Sequence, residues 1–196
     1  FKAGGFNPAS PAGSEAYGEE NTWNVEAGIK TLLANGRVAL NSAVFFIDWN
    51  DLQLNVPNVN VPGQIYIANV GGATSKGVEF DVTARPAPGL DVFGAFGYTN
   101  ATFSRGSTSV GMDVSGNDIP NTPDYTASFG VQYGRAVNSA TSAFGRADVV
   151  LSGAFRYDDT NLEGQDAYSL VHLRGGFRGK VFFAEGWIRN AFNTTY

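Results

Sequence analysis

The chain has 196 residues, 43% of them hydrophobic and only 16% charged, with 18 acids against 13 lysines and arginines for a net charge of −5. An acidic chain without a basic stripe is a poor match for a phosphate backbone, which excludes nucleic acid as a partner. Cysteine is absent, so disulfides and thiolate metal sites are excluded, and no apolar run approaches the ~20 residues that a membrane helix needs.

In chain order, Phe1–Phe6 has neither an apolar h-region nor a cleavage site, and reads as the tail of an earlier strand. From Trp23 onward the dominant signal is period-two alternation, the mark of strands with two unlike faces. The predicted strands are Thr22–Leu33, Arg37–Leu54, Gln64–Pro86, Leu90–Phe103, Asp124–Tyr133, Gly145–Asp158, Ala167–Phe177 and Lys180–Phe192. Several exceed the usual soluble length of about 5–6 residues, as a tall barrel wall requires. No stretch carries a sustained helical stripe.

The links alternate in length. Ala34-Asn35-Gly36, Ala87-Pro88-Gly89 and Arg178-Gly179 are short, and Asn-Gly is a favoured hairpin pair because it supplies positive φ. Asn55–Gly63, Ser104–Thr122 and Asp158–Asp166 are long. Tight turns at one end and extended loops at the other are the pattern of an outer-membrane barrel. Gly134–Phe144 breaks this rule: it stands where a short turn belongs, yet has eleven residues.

Alternation predicts which side chains face lipid. Val25, Ile29, Val78, Phe80, Phe129, Val131, Val149 and Leu151 form the outward set, opposite Glu26, Lys30, Glu79, Asp81, Arg85, Gln132, Arg156, His172 and Arg174 on the lumen wall. In Arg37–Leu54 the outward set is Val38, Leu40, Val44 and Phe46, although Phe45, Ile47 and Trp49 make the opposite face apolar too. Aromatics gather where strands meet the long loops, at Trp49, Tyr66, Tyr98, Phe103, Tyr125, Phe155, Tyr157 and Tyr168. Rings with an apolar body and a polar tip favour the headgroup level.

Catalytic chemistry finds little support. His172 is the only histidine, and Ser169, His172 and Asp166 lack the nucleophile-elbow context of a hydrolase triad. Glu79 and Asp81, two apart on one strand, lie roughly 6–7 Å from each other, which suits either paired catalytic acids or a polar barrel wall, the preferred reading. Asp113–Asp118 and Asp158–Asp166 offer oxygen ligands but lack the EF-hand spacing. No catalytic residue, metal or cofactor is expected. Asp113, Asn117, Asp118, Tyr157, Asp158 and Asp159 are the candidate ligand-contacting loop residues, because outer loops form the mouth of such a barrel.

Four segments, in order, resemble one family. Tyr17-Gly18-Glu19-Glu20 followed by Trp23-Asn24-Val25-Glu26-Ala27-Gly28-Ile29-Lys30 is similar to the strand "Y-x-P-E … N-Y-E-x-G-x-K" of the TonB-dependent receptors, with Gly18 in place of the usual proline. Leu40-Asn41-Ser42-Ala43-Val44-Phe45-Phe46-Ile47-Asp48-Trp49-Asn50-Asp51 resembles "L-N-x-A-x-F-Y-x-D-Y-x-D". Asn69-Val70-Gly71 with Ser75-Lys76-Gly77-Val78-Glu79-Phe80-Asp81 resembles "N-A-G … S-x-G-V-E-x-E", and Asn190-Ala191-Phe192-Asn193-Thr194-Thr195-Tyr196 resembles "N-L-F-D-x-x-Y".

The resemblance implies an all-β fold: an antiparallel up-and-down meander, a partial transmembrane β-barrel of about eight strands out of about 22. Residues 1–196 would be a carboxyl-terminal portion of that barrel, without the plug, the TonB-binding box or the final strand. The implied location is the bacterial outer membrane. The implied partners are outer-membrane lipid, an amino-terminal plug, the TonB complex and a scarce small-molecule ligand, a siderophore-type iron chelate first among them. Two other readings compete: a small closed outer-membrane barrel with an enzymatic or adhesive role, and a soluble secreted β-sandwich that binds ligands.

Overall fold

The computed structural model describes all 196 residues and contains no helix. Eight strands build one large sheet: β1 (Asn21–Leu33), β2 (Val38–Asn50), β3 (Ala73–Ala87), β4 (Leu90–Phe103), β5 (Tyr125–Ala136), β6 (Thr141–Ser152), β7 (Tyr168–Gly179) and β8 (Phe183–Ile188). Each pairs antiparallel with its neighbours in sequence, which is the expected meander, and β1 and β8 remain the two edges. A single large meander, with only two-stranded hairpins beside it, excludes the two-sheet sandwich.

Turn chemistry explains the short links. Ala34, Asn35 and Gly36 all have positive φ, at 52°, 56° and 80°, a run that Asn-Gly makes inexpensive. Pro88-Gly89 closes the next turn. The eleven-residue exception disappears: β5 and β6 each run further than their apolar pattern suggests, leaving Val137–Ala140 as the turn, with the Asn138 Oδ1 accepting from Ala140 N at 2.9 Å. Small and polar residues at Gly134, Ala136 and Ser142 hide those strand ends from a search for alternation.

Four predicted strands are corrected. Arg37–Leu54 and Gln64–Pro86 each break near the loop end, at Asp51 (φ 56°) and at Gly71 (φ 118°). The pieces Gln53–Pro57 and Ile65–Asn69 instead pair with one another as a separate hairpin. Gly145–Asp158 likewise stops at Ser152, and Phe155–Arg156 pairs with Gly164–Gln165 in a small hairpin of its own. Arg156 therefore belongs to a loop and not to the wall. Lys180–Phe192 shrinks to Phe183–Ile188, and Asn190 and Asn193 with positive φ follow it.

Register separates the two faces of the sheet. Val25 opposes Phe46, Val44 opposes Val78, Phe80 opposes Phe96, Phe129 opposes Val149, and Leu151 opposes Ala127, so these side chains share one apolar face. Val38 and Leu40 belong to it as well. The apolar residues on the other side of β2 have particular partners. The Phe45 ring covers Gly77, where an added Cβ would lie 2.6 Å from Phe45 Cζ and against the Tyr98 carbonyl. Trp49 packs on the loop core.

That core is the only cluster of buried apolar side chains, and it lies at the loop end: Leu52, Val56, Tyr66, Val70, Ala73, Phe103 and Val114. The predicted aromatic belt is accordingly divided. Tyr66 and Phe103 are buried in this core, whereas Tyr98 and Tyr125 oppose one another on the apolar face, close to the loop end. The wall itself has no apolar interior, because one face is polar and the apolar face carries exposed side chains such as Val25, Phe46, Phe80 and Phe129.

Candidate functional site: the loop end and the polar face

The long links 51–72, 104–124 and 153–167 all leave the same end of the sheet and are hydrogen-bonded to each other there. Ser104 N donates to the Gly72 carbonyl at 2.9 Å, and the Ser107 hydroxyl donates to the same oxygen at 2.7 Å. Asn117 Nδ2 donates to the Asp159 carbonyl at 2.9 Å. Asn161 answers in both directions, its Oδ1 accepting from Asp118 N at 2.7 Å and its Nδ2 donating to the Asp118 carbonyl at 3.0 Å. The amino-terminal arm joins in: Asn7 brackets Ile67 through both amide atoms at 2.9 Å, and Gln53 N donates to Glu20 Oε2 at 2.8 Å.

Three of the six candidate loop residues thus come together, but as a brace between loops: Asn117, Asp118 and Asp159 use backbone or side-chain atoms to fix one loop against the next. Asp158 folds its own loop, accepting from Thr160 N, Glu163 N and Asn161 Nδ2. Tyr157 remains exposed beside a cavity of about 360 Å³ walled by Leu54, Pro57, Ile65 and Pro120. Asp113 stands apart, exposed on the short hairpin formed by Thr108–Ser109 and Met112–Asp113; hydrogen bonds from Ser115 hold its carboxyl below the ordinary carboxylate range. Sequence reasoning missed Asn161, Asn7 and Gln53. Asn161 has positive φ (60°), and asparagine inside an acidic loop was the available signal.

Asp158 titrates in a way that tests the fold of its own loop. Burial pushes its carboxyl up, but hydrogen bonds from the Thr160 hydroxyl and from the N–H groups of Glu163, Thr160 and Leu162 outweigh burial, and the net position is below the ordinary value. A depressed folded pKa contributes stability that is fully present above the unfolded value, about 3.9, and is lost as pH falls through the folded value. Amide protection factors over 158–163, corrected for intrinsic rates, should therefore fall below about pH 4. In Asp158→Asn they should already be low and should not change with pH; parallel profiles for the two proteins would show that the Asp158 carboxylate does not hold this loop.

On the polar face, Glu26 and Lys30 of β1 share a concavity of about 470 Å³ with Glu79 and Asp81 of β3, and Asn41 Nδ2 donates to Asp81 Oδ1 at 2.8 Å. Arg85 sits at the turn end, paired with Asp91 at 3.0 Å. Gln132, His172 and Arg174 lie on the same face across β5 and β7. His172 Nδ1 accepts from Asn190 N at 3.1 Å, and Ser169 occupies the opposite face of the same strand, so no triad assembles. Arg146 and Asp148 lie on the same face of β6, opposite Gln132 and Gly130, and were not among the expected wall residues. They form an ion pair at 2.7 Å, with the Arg146 guanidinium 4.6 Å from the Phe93 ring centre.

Comparisons with known proteins point in one direction. A family model described as a TonB dependent receptor-like β-barrel matches residues 1–191. Among solved structures, the ferric yersiniabactin uptake receptor FyuA of Yersinia pestis superposes on 98% of this chain with a TM-score of 0.82 at 24% identity. The ferric preacinetobactin receptor BauA of Acinetobacter baumannii covers 98% with a TM-score of 0.73 at 19% identity. The ferripyoverdine receptor of the outer membrane of Pseudomonas aeruginosa covers 93% with a TM-score of 0.60 at 20% identity. The matched region is 28%, 28% and 24% of those chains, so this chain spans about a quarter of their length.

Proposed function

Because the chain belongs to the TonB-dependent receptor β-barrel family of the outer membrane, we propose that it forms transport wall and ligand-entry mouth in a receptor that takes up a siderophore-type iron chelate. The observation that carries this reading is the division of the sheet into a turn end and an interlocked loop end. The loop layer becomes the mouth, facing outside the cell. The apolar face meets outer-membrane lipid, and the polar face bearing Glu26, Lys30, Glu79, Asp81, Arg85, Gln132, His172 and Arg174 becomes the lumen wall. A charged plug from outside this segment and the TonB complex complete the machinery. The ferric ligands named for the similar solved structures support iron in particular.

On this reading the acids split by role. Asn117, Asp118, Asp158 and Asp159 set the shape of the mouth, and Tyr157 presents a flat amphipathic ring for direct contact, the kind of residue that dominates binding surfaces. The test is made in the full-length receptor by shortening 104–124 and 153–167 separately, with Tyr157→Ala as a third variant. Ferric-chelate binding and uptake are measured alongside barrel assembly, scored by heat-modifiable gel mobility. Both deletions should abolish binding in a barrel that still assembles, and Tyr157→Ala should weaken it several-fold. Binding and uptake that survive both deletions would overturn the mouth assignment.

A further inference from the structure

At the turn end of the polar face, β5 to β8 form a depression of about 320 Å³. Register lays out its floor and rims in three rows. The upper row is Gln132, Arg146, Arg174 and Trp187; the middle row is Gly134, Phe144, Gly176 and Glu185; the lower row is Ala136, Ser142, Arg178 and Phe183. The middle row is low because two of its four positions are glycine. An added Cβ at Gly176 would press on the Ala184 carbonyl and lie 3.1 Å from Phe144 Cε1, so glycine lets that ring lie flat. Phe144 and Phe183 are parallel, 4° apart in plane with centroids 6.0 Å apart.

The charges around this floor are unbalanced. Arg146 is committed to Asp148, with three N···O distances of 2.7–2.9 Å, and to the Phe93 ring. Arg174 stands directly opposite Arg146, and like charges in that position repel. The ion pairs of the structure are Arg85–Asp91 and Arg146–Asp148, so neither Arg174 nor Arg178 is in an ion pair. Glu185 is the single acid on the floor and is itself in no ion pair. Arg178 lies 5.4 Å from the Phe183 ring centre, one flat cation against one flat ring.

We propose that this depression is a carboxylate-binding site, clasped between Arg174 and Arg178 and taking the flat or slender apolar part of its ligand on Phe144 and Phe183. Guanidinium groups bind carboxylates through two parallel N–H···O bonds, and one bound carboxylate offsets the surplus positive charge. The carboxylate has two possible sources: an Asp or Glu side chain on the segment that fills the barrel, or a free carboxylate in passage. The site rests on the reading of the polar face as the lumen wall.

The experiment uses the full-length receptor with two double variants, Arg174→Gln/Arg178→Gln and Arg174→Lys/Arg178→Lys. In one arm 4-fluorobenzoate is titrated and its fluorine line width followed. In the other, hydrogen exchange is mapped by mass spectrometry. A free-carboxylate site broadens the probe line in wild type, partly in the lysine variant and not in the glutamine variant. A tethered carboxylate gives no broadening in wild type, but the glutamine variant speeds exchange by about ten-fold, the loss of one charge-assisted bond, in one Asp- or Glu-bearing segment inside the barrel, with the lysine variant between. Neither effect, in variants that assemble normally, overturns the site. Labelling Asn24→Cys and Val25→Cys in outer-membrane vesicles with a water-soluble thiol reagent tests the lumen reading separately. Faster labelling of Val25→Cys overturns that reading alone, while the two arms still decide the carboxylate site.

Discussion

Phe103→Ala is expected to destabilise the loop layer by about 3–5 kcal/mol, the usual range for truncating a buried phenylalanine. Phe103 ends β4 with only 2% of its surface exposed and lies in the cluster with Leu52, Val56, Tyr66, Val70, Ala73 and Val114. Its backbone is fixed on both sides, N–H donating to the Asn117 carbonyl and C=O accepting from Gly116 N, each at 2.9 Å. The surroundings therefore cannot collapse readily into the space the ring vacates. The measurement is hydrogen exchange across 51–72 and 104–124 in the full-length receptor, with the mid-strand amides of β5 and β6 as internal reference. Protection should drop in the loops and hold in the wall. A uniform loss across both, or none, would show that the loop layer is not a separately stabilised unit.

Phe129→Arg should cost roughly 2–4 kcal/mol when the full-length receptor folds into lipid vesicles, the range for a cation on the lipid face near the midplane. Phe129 lies in the middle part of β5, opposite Gly94 and Val149 on the apolar face, and its ring carbons sit 3.5–3.7 Å from where a Gly94 side chain would begin. The substitution removes that cover and places charge in hydrocarbon. Gln132→Arg, on the other face, should cost less: it stands opposite Arg146, where like charges repel by up to about 1 kcal/mol, but the row is polar and no charge enters hydrocarbon. Urea titrations of the two variants give the comparison directly. Equal costs would mean that the faces have been assigned wrongly.

The meander and its two faces were legible because they rest on short-range signals: alternation at Trp23–Leu33 or Tyr125–Tyr133, and turn pairs such as Asn35-Gly36. The misplaced features depend on contacts distant in sequence. Nothing local in Gln53–Pro57 says that it leaves β2 to pair with Ile65–Asn69; both read equally well as wall, and only burial of Val56 and Tyr66 against Phe103 and Val114 separates them. Arg156 was put on the wall for the same reason, since the break at Gly153 interrupts a pattern that otherwise continues. The Arg174–Arg178 depression was hidden because the predicted strand stopped at Phe177, one residue before Arg178, and because its floor is made of glycines that carry no face signal. Family resemblance carried the location, while the roles of Asn117 and Asp118 came only from seeing which loop each one touches.

A loop layer that keeps its own apolar core does not draw its stability from the bilayer. The wall must match the thickness and fluidity of the surrounding hydrocarbon, because its apolar face has no protein partner. The layer built on Val56, Phe103 and Val114 has already buried its apolar side chains in protein. Extraction into detergent, or transfer to a membrane of another thickness, should therefore alter the tilt and spacing of the strands before it alters the shape of the loop layer. Substitutions accumulating on the exposed rims of those loops can likewise change the outer surface of the layer without loosening the barrel beneath it.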